Sequence, residues 1–467
     1  MLSGCAPKPA DETTPSVDFV SEADGIFPFY AIGKDDMLYR AQKNGVYATG
    51  LRACYTILGK QEYLVKYFKQ TDTLIFTSEL VFSQNKTLCT LNVLQGNQHT
   101  VIYQDVLFDS IKISQNASIA FITGNKELMH YSKGNLSHID DNVLKCEFAS
   151  SDKLVYLIDN GQLNTTGILY PTYCATDDYR FFIDDTFDIF KSPSNDELVF
   201  LVKNSHQVQK RAASVTVADC IILLDGQELA QIPSVVLSQF FPDNPLKFLL
   251  SCDEVQSTLK FLLYKIEDSQ PTLLAKNVLA GKNVSFDGSA YAFEAEANGE
   301  ISAFVAKSSV LPIEKSVTLD NVFCFGDSVF TLVSGELSIG NTTVLKNVKE
   351  VRLDAQGLVC FVQNGESYSA YLVKDLSATL LAKNVVTTDF VLESEYFYYL
   401  SGDNISKDLF VAGKDKSMAL LPNVDLALSF VHYSGNIAAV RKNDSVLYYS
   451  FSGQTQSTFL SVKALIK

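Results

Sequence analysis

Four carboxylates lie close together in one segment, TDDYRFFIDDTFD from Thr176 to Asp188: Asp177, Asp178, Asp184 and Asp185. Paired carboxylates are the side chains that a hydrolase or lyase uses as general acid and base. Oxygen-rich clusters also bind calcium, but the spacing here matches no calcium loop. Solvated turns are the simpler interpretation, so these four residues are only nominal catalytic candidates.

No other group of residues in the sequence matches a known catalytic or ligand-binding motif. There is no H-E-x-x-H, no G-x-S-x-G and no phosphate-binding glycine loop. The basic segment HQVQKRAAS, residues 206 to 214, is interpreted as a long blade loop and a weak binding candidate. The five histidines are scattered singly, at His99, His130, His138, His206 and His432. The sequence therefore predicts no catalytic, cofactor or metal residue, and any active site would be assembled from the loops of several repeats.

The cysteines give no metal or redox motif either, because none forms C-x-x-C. Apart from Cys5 they are Cys54, Cys89, Cys146, Cys174, Cys220, Cys252, Cys324 and Cys360. Most of these eight lie in apolar strand contexts, and a free cysteine behaves there as a small buried hydrophobe. We therefore expect free thiols rather than disulfides.

The elements that must position any site are short strands joined by tight corners. NVSFDGSAYAFEAE, residues 283 to 296, contains two apolar strands hinged on Asp287 and Gly288. Asp-Gly between apolar runs is a strong hairpin signal, because the turn requires positive φ and glycine supplies it without steric cost. The second run is apolar on both faces, which favours a strand buried between two sheets.

Looser copies of this stretch recur along most of the chain, from residue 67 to residue 440, usually about 40 residues apart. A second marker, Asn-Val after an apolar pair, precedes most corners. It occurs at Asn142, Asn277, Asn321, Asn347, Asn384 and Asn423. A period of about 40 residues with four short strands per unit is the signature of a β-propeller blade. The sequence thus predicts an all-β propeller built from four-stranded blades.

The corner residues resemble a known repeat. Ser285-Phe286-Asp287-Gly288, and the segment SPSND at residues 192 to 196, are similar to the S-P-D-G repeat of TolB-like propellers. The resemblance implies a propeller that serves mainly as a binding platform and has no shared catalytic residues to transfer. The absence of tryptophan argues against the WD-repeat, sialidase and quinoprotein types of propeller.

Ten or eleven repeat units can be counted, whereas ordinary rings have about four to eight blades. We therefore expect two consecutive rings, at residues 19 to 236 and 237 to 467; the alternative is a single ring of seven or eight blades over 19 to 467. An irregular first unit within residues 17 to 66 is expected to pair with the C-terminal strand near residues 458 to 462, which would remove a bare sheet edge.

The N-terminus and the charge bear on location and partners. Leu2-Ser3-Gly4-Cys5 resembles a bacterial lipobox with Cys5 as the lipidated residue, and residues 6 to 16 read as a flexible tether, so residues 1 to 18 form no domain. Only four residues precede Cys5, so either the start of the sequence is truncated or misassigned, or the lipobox match is accidental. The net charge of −15 argues against nucleic acid. We expect an exported, lipid-anchored protein of the cell envelope without a cofactor.

The main functional prediction is a non-catalytic binding or assembly platform that contacts a protein, peptide or glycan through a propeller face. The alternative is an envelope hydrolase or lyase with a site assembled from loops around the propeller channel. Titratable groups from different blades within hydrogen-bond reach of one another would favour the enzyme.

Overall fold

The computed structural model contains almost only β-strands. It describes residues 29–42, 45–53, 65–83, 86–160, 162–164, 167–193, 195, 197–210, 213–240, 245–266, 270–314, 317–388, 390–393, 396–402, 407–412, 417–421, 430–433, 436–440, 447–451, 454–458 and 462–466. Within these ranges there are 43 strands and four short 3-10 helices. None of these helices is long or apolar enough to cross a membrane.

The strands are numbered in chain order. β1 to β15 are Phe29–Gly33, Met37–Gln42, Gly45–Arg52, Val65–Phe68, Thr73–Ser83, Lys86–Gln95, Gln98–Leu107, Lys112–Ile113, Ile119–Ile122, Leu128–Ser132, Asn135–Asp140, Val143–Phe148, Leu154–Ile158, Gln162–Asn164 and Gly167–Ala175. β16 to β30 are Arg180–Thr186, Asp188–Lys191, Leu198–Lys210, Ala213–Leu224, Gln227–Val236, Phe248–Cys252, Phe261–Lys265, Thr272–Asn283, Tyr291–Ala297, Glu300–Ala306, Val310–Pro312, Val322–Phe325, Ser328–Val333, Glu336–Ile339 and Thr342–Leu345. β31 to β43 are Val348–Asp354, Gly357–Asn364, Ser367–Lys374, Ser377–Val385, Phe390–Glu393, Tyr396–Gly402, Lys407–Ala412, Ser417–Leu421, Phe430–Tyr433, Asn436–Val440, Leu447–Phe451, Gln454–Thr458 and Val462–Ile466. The 3-10 helices are Lys69–Thr71, Phe108–Ser110, Leu237–Phe240 and Leu319–Asn321.

Antiparallel pairing of consecutive strands produces the blades. Seven of the described sheets have four strands, and one, β12 to β16, has five. Strands β17 to β26 form one sheet of ten, in which β23 pairs with β22 through its first half and with β24 through its second half. Repeated four-stranded antiparallel sheets are the blades of a propeller. The predicted all-β propeller fold is confirmed, while the number of rings and the division at residue 236 stay predictions.

The chain divides into two compact units. The first unit comprises Met1–Val81, Cys89–Gln104 and Val424–Lys467; the second comprises Phe82–Leu88 and Asp105–Asn423. In the first unit, β1 pairs with β43 in the sheet β3-β2-β1-β43, with Tyr30 opposite Ile466. The predicted pairing of the two chain ends is therefore confirmed, although the partner strand begins at Val462, where the expected one ends.

The Asn-Val repeat marker has a backbone explanation. Asn142, Asn277, Asn347 and Asn384 all have φ between 56° and 58°. Asparagine tolerates this left-handed region better than other side chains, and at the first three positions the strand register shifts just beyond the residue. The marker therefore encodes a bulge. Asn321 instead ends a 3-10 helix, and Asn423 lies outside the described residues.

The corner at Asp287-Gly288 forms as predicted. Gly288 has φ of 72°, and the Asp287 carboxylate accepts hydrogen bonds from the Ser289 amide (3.0 Å) and hydroxyl (2.6 Å). Burial raises the pKa of Asp287, but these hydrogen bonds outweigh burial and hold the pKa below its ordinary value. The Ser285 hydroxyl accepts a hydrogen bond from the Ala290 amide at 2.9 Å, so the two strands leave the corner in fixed register.

Candidate functional site

The four predicted carboxylates do not converge on one pocket. Asp177 follows β15, and its Oδ1 lies 2.9 Å from Nδ1 of His130 on β10, a strand of the neighbouring sheet. Asp184 forms an ion pair with Lys203. The carboxylates of Asp178 and Asp185 have no hydrogen-bond or ionic partner among the described residues and are exposed. Asp178 lies in a bend, which agrees with the predicted solvated turn, whereas Asp185 lies on strand β16.

The pair of His130 and Asp177 does bring an acid and a base together from two blades. However, His130 is 2% exposed, its Nε2 is buried without a hydrogen-bond partner in the described structure, and its ring packs edge-on against Phe148 at 5.9 Å. A substrate cannot reach that nitrogen while the ring is covered. This pair is a structural contact between two sheets.

The basic segment at residues 206 to 214 belongs mostly to the hairpin of β18 and β19 and is not the expected flexible loop; residues 211 and 212 lie outside the described structure. His206 Nδ1 lies 2.9 Å from the Asn204 carbonyl oxygen, and Nε2 lies 3.0 Å from Glu254 Oε1. Both neighbours are acceptors, so both ring nitrogens donate, and these hydrogen bonds raise the pKa of His206 against the effect of burial. A histidine that already carries both protons is a poor general base.

A cleft in the first unit is a better candidate for the functional site than these residues. It has a volume of about 480 Å³ and lies beside β5, β6 and β7, next to the end of β3. This volume is within the range of about 300–1,000 Å³ that is typical of small-molecule sites. Its lining mixes a few apolar side chains with many polar ones: Asp36, Gly50, Leu51, Arg52, Ala53, Phe76, Ser78, Glu79, Thr90, Asn92, His99, Val101 and Gln104.

Asn92 organises this cleft from β6, where it is 3% exposed. Its Nδ2 donates to the Ser78 hydroxyl at 2.9 Å and to the Thr90 carbonyl oxygen at 3.0 Å. A carbonyl oxygen only accepts, so the amide nitrogen must be on that side. The amide oxygen therefore faces His99, with Oδ1 3.0 Å from Nε2.

This orientation fixes the tautomer of His99. Since Asn92 Oδ1 only accepts, Nε2 of the imidazole carries the proton and Nδ1 carries the lone pair in the neutral ring. Nδ1 makes no hydrogen bond to any residue that the structure describes. Burial lowers the pKa of His99 below 6.5, so the ring is neutral at pH 7. The ring also stacks on Phe76, with centroids 6.0 Å apart.

Glu79 adds an acid to the same cleft. Its Oε2 accepts a hydrogen bond of 2.8 Å from the hydroxyl of Thr90, which is 6% exposed. Glu79 has φ of 56°, a conformation that costs a non-glycine residue about 1–3 kcal/mol and is concentrated at functional sites. The cleft thus combines an uncharged base, a carboxylate, the Ser78 hydroxyl and the Arg52 guanidinium.

Sequence reasoning missed this site because it weighed His99 only as an isolated histidine. One signal was present: in β6 the polar residues Thr90 and Asn92 alternate with Leu91 and Val93, yet both faces are buried. A polar face on a buried strand must be satisfied by a network or a ligand. Only the folded structure shows that a side chain of β6 meets Ser78 and His99.

The cysteines behave as expected where they are described. Cys89, Cys146, Cys174, Cys220, Cys252, Cys324 and Cys360 are free and buried. Burial raises the pKa of Cys146 to about 12, so its thiol is not a nucleophile. Cys5, the predicted lipidation site, and Cys54 lie outside the described residues. No group of three or more metal-binding side chains occurs in the part of the chain that the structure describes.

No protein-family model and no curated protein sequence matches the chain. Among solved structures, the β-propeller domain of the Trilobed protease from Pyrococcus furiosus is similar, at 12% identity and a TM-score of 0.26, covering 74% of this chain and 93% of that one. An acylaminoacyl peptidase from Pyrococcus horikoshii has 11% identity and a TM-score of 0.27, with 83% and 57% covered. A prolyl endopeptidase has 8% identity and a TM-score of 0.29, with 83% and 48% covered.

The predicted non-catalytic platform is contradicted by these matches, which come from a protease and two peptidases. This chain spans 57% and 48% of the two peptidases. At such TM-scores no catalytic residue of those enzymes can be placed on this chain, so its chemistry rests on its own cleft.

Proposed function

We propose that the protein is a hydrolase and that His99 is its general base. The observation that carries the proposal is the hydrogen bonding of Asn92, which holds Nε2 as the protonated nitrogen and leaves the Nδ1 lone pair without a partner among the described residues. A base with a pKa near the working pH, held in one tautomer by a second side chain, is the usual design for proton abstraction.

The reaction follows from this arrangement. Nδ1 removes a proton from a water molecule as the water oxygen attacks the carbonyl carbon of an ester or amide. The C–O or C–N bond to the leaving group then breaks, and the imidazolium returns the proton to the departing alkoxide or amine. Glu79 and Asp36 stabilise the transient imidazolium, and Arg52 supplies positive charge for the carbonyl oxygen as it becomes negative.

The cleft also indicates a substrate class. Two carboxylates face one guanidinium, so a substrate with a free amino group is favoured over an anionic one. Of the partner classes expected from the sequence, which were protein, peptide and glycan, the amino end of a short peptide suits this charge and volume best.

The test uses the purified chain with aminoacyl 4-nitrophenyl esters and 4-nitroanilides, each with a free or an acetylated amino group. His99→Gln should lower kcat/KM by about 10²- to 10⁴-fold. His138→Gln is the matched control, because His138 is exposed on β11 and its one partner among the described residues is Asp141, at 2.9 Å. Acetylated substrates should react more slowly than free ones.

The pH profile supplies a second measurement. Because the pKa of His99 is lowered, kcat/KM should be constant around pH 7 and fall as the pH drops below 6.5, where Nδ1 takes up a proton. Equal rates for His99→Gln and His138→Gln, or a profile without this acid limb, would overturn the proposal.

Membership of the TolB-like propellers and attachment to the cell envelope through Cys5 are proposed alongside the hydrolase. The first is supported by the corner at Ser285 to Gly288, and the second by the lipobox pattern and the polar run after it. Palmitate labelling of cells that express the gene with its native upstream region tests the anchor. Label that persists in Cys5→Ala would refute it.

A further inference from the structure

A second cleft, in the second unit, has a different character from the one beside His99. It has a volume of about 450 Å³ and lies where β23 passes from pairing with β22 to pairing with β24. Its lining includes Lys260, Ala275, Lys276, Asn277, Phe293 and Phe304. Asn277 is one of the repeat markers, so the bulge that defines the repeat also shapes this cleft.

The floor of this cleft is apolar. The rings of Phe293 and Phe304 stack with centroids 5.4 Å apart and planes 25° from parallel, and Phe293 is only 1% exposed. Ala275 and Ala295 beside them are short, which leaves the space open. Val310, on the short strand β26, is 36% exposed and lines the same cleft. An apolar, concave surface of this size favours a ligand with a hydrocarbon or aromatic body.

The charges around the floor are mainly positive. Lys260 Nζ lies 3.3 Å from Glu296 Oε2, and the Lys260 side chain is only 15% exposed. Lys276 is exposed and has no ionic or hydrogen-bond partner among the described residues. Two ammonium groups therefore face one carboxylate, on a chain whose net charge is −15. Local positive charge on an acidic protein selects for anions.

We propose that this cleft binds a small amphiphilic carboxylate, with its apolar body against Phe304, Ala275 and Val310 and its anionic group beside Lys276. An amine of the same shape would be repelled by the two lysines, and a neutral analogue would retain only the apolar contact. The site is independent of the hydrolase cleft, because all of its residues belong to the second unit.

Isothermal titration calorimetry with 4-phenylbutyrate, 4-phenylbutanol and 4-phenylbutylamine separates these contributions. The carboxylate should bind about five- to tenfold more tightly than the alcohol, and the amine most weakly. Lys276→Gln should remove the advantage of the carboxylate and leave the affinity for the alcohol unchanged. Lys383→Gln, an exposed lysine outside the cleft, is the matched control.

A second variant tests the location. Ala275→Phe fills the space beside the phenylalanine rings, so it should abolish binding of both the acid and the alcohol while circular dichroism shows the β-sheet signal retained. His99→Gln should bind 4-phenylbutyrate like the wild type, so this result does not depend on whether the hydrolase proposal holds. Equal affinities for acid and alcohol, or undiminished binding by a folded Ala275→Phe variant, would overturn the proposal.

Discussion

Replacing Asn92 by aspartate tests the geometry of the hydrolase cleft with almost no change in shape. In Asn92→Asp a carboxylate oxygen takes the place of Oδ1, 3.0 Å from His99 Nε2, so the acceptor remains and a negative charge is added. A nearby carboxylate favours the imidazolium, so the pKa of His99 should rise above its wild-type value.

The size of the rise follows from the distance and the exposure. Charges about 4 Å apart attract by about 4 kcal/mol at an effective dielectric constant of 20, and by about 1 kcal/mol in water. Asn92 is buried but His99 is more than a third exposed, so solvent screening favours the lower part of this range, about 1.5–3 kcal/mol. That interaction corresponds to an upward shift of about one to two pKa units.

Asn92→Asp should change how stability depends on pH. In the wild type the folded-state pKa of His99 is lowered, so its contribution to stability is present above pH 6.5 and is lost as the pH falls. In Asn92→Asp the folded-state pKa is higher than in the wild type, so less of this stability is lost as the pH falls. Independently of pH, losing the amide donor to the Thr90 carbonyl should cost about 1–3 kcal/mol.

NMR titration of the His99 ring protons measures the pKa directly, and the acid limb of kcat/KM should move to higher pH by the same amount. Asn97→Asp is the control, because it adds the same charge two residues away in an exposed turn. It should shift the His99 pKa by only a few tenths of a unit. A His99 pKa that stays unchanged or falls in Asn92→Asp would refute the contact between residue 92 and the His99 ring.

Three further predictions concern the scaffold. Iodoacetamide at pH 8 should leave Cys146 unmodified in the native protein and alkylate it after unfolding, as read by peptide mass spectrometry, because burial raises its pKa to about 12. Gly288→Ala should lower the free energy of unfolding in urea by about 2–4 kcal/mol, since φ is 72° and the new Cβ would lie 2.4 Å from a proline ring. In Gly299→Ala the backbone φ is also positive, at 81°, but the new Cβ would meet no other atom, so the free energy of unfolding should fall by only about 1 kcal/mol. Equal losses of stability in the two variants would contradict the role of the proline contact at Gly288. Lys112→Met should cost about 1–3 kcal/mol by leaving the buried Glu147 carboxylate unpaired, whereas adding Glu147→Gln should recover most of that loss; additive losses would argue against a coupled pair.

The repeat was readable from sequence because its two markers are backbone constraints within a few residues. Gly288 and Asn277 each take up positive φ, which few side chains tolerate, so the residue type itself records the local geometry. The pairing of β1 with β43 was also predictable, since a bare edge strand at either end would be unfavourable.

The candidate site depended on information that sequence spacing does not contain. His99 and Ser78 are 21 positions apart and are joined only through Asn92, whose amide orientation is set by the Thr90 carbonyl. Conversely, Asp177 and Asp178 are adjacent in sequence, yet one bonds to His130 on another sheet and the other faces solvent. Local backbone requirements leave a mark on residue type, whereas side chains from separate strands meet only when register and packing bring them together. The tertiary structure alone therefore decided which histidine has a deprotonated nitrogen beside a cleft, with no partner in the part of the chain that the structure describes.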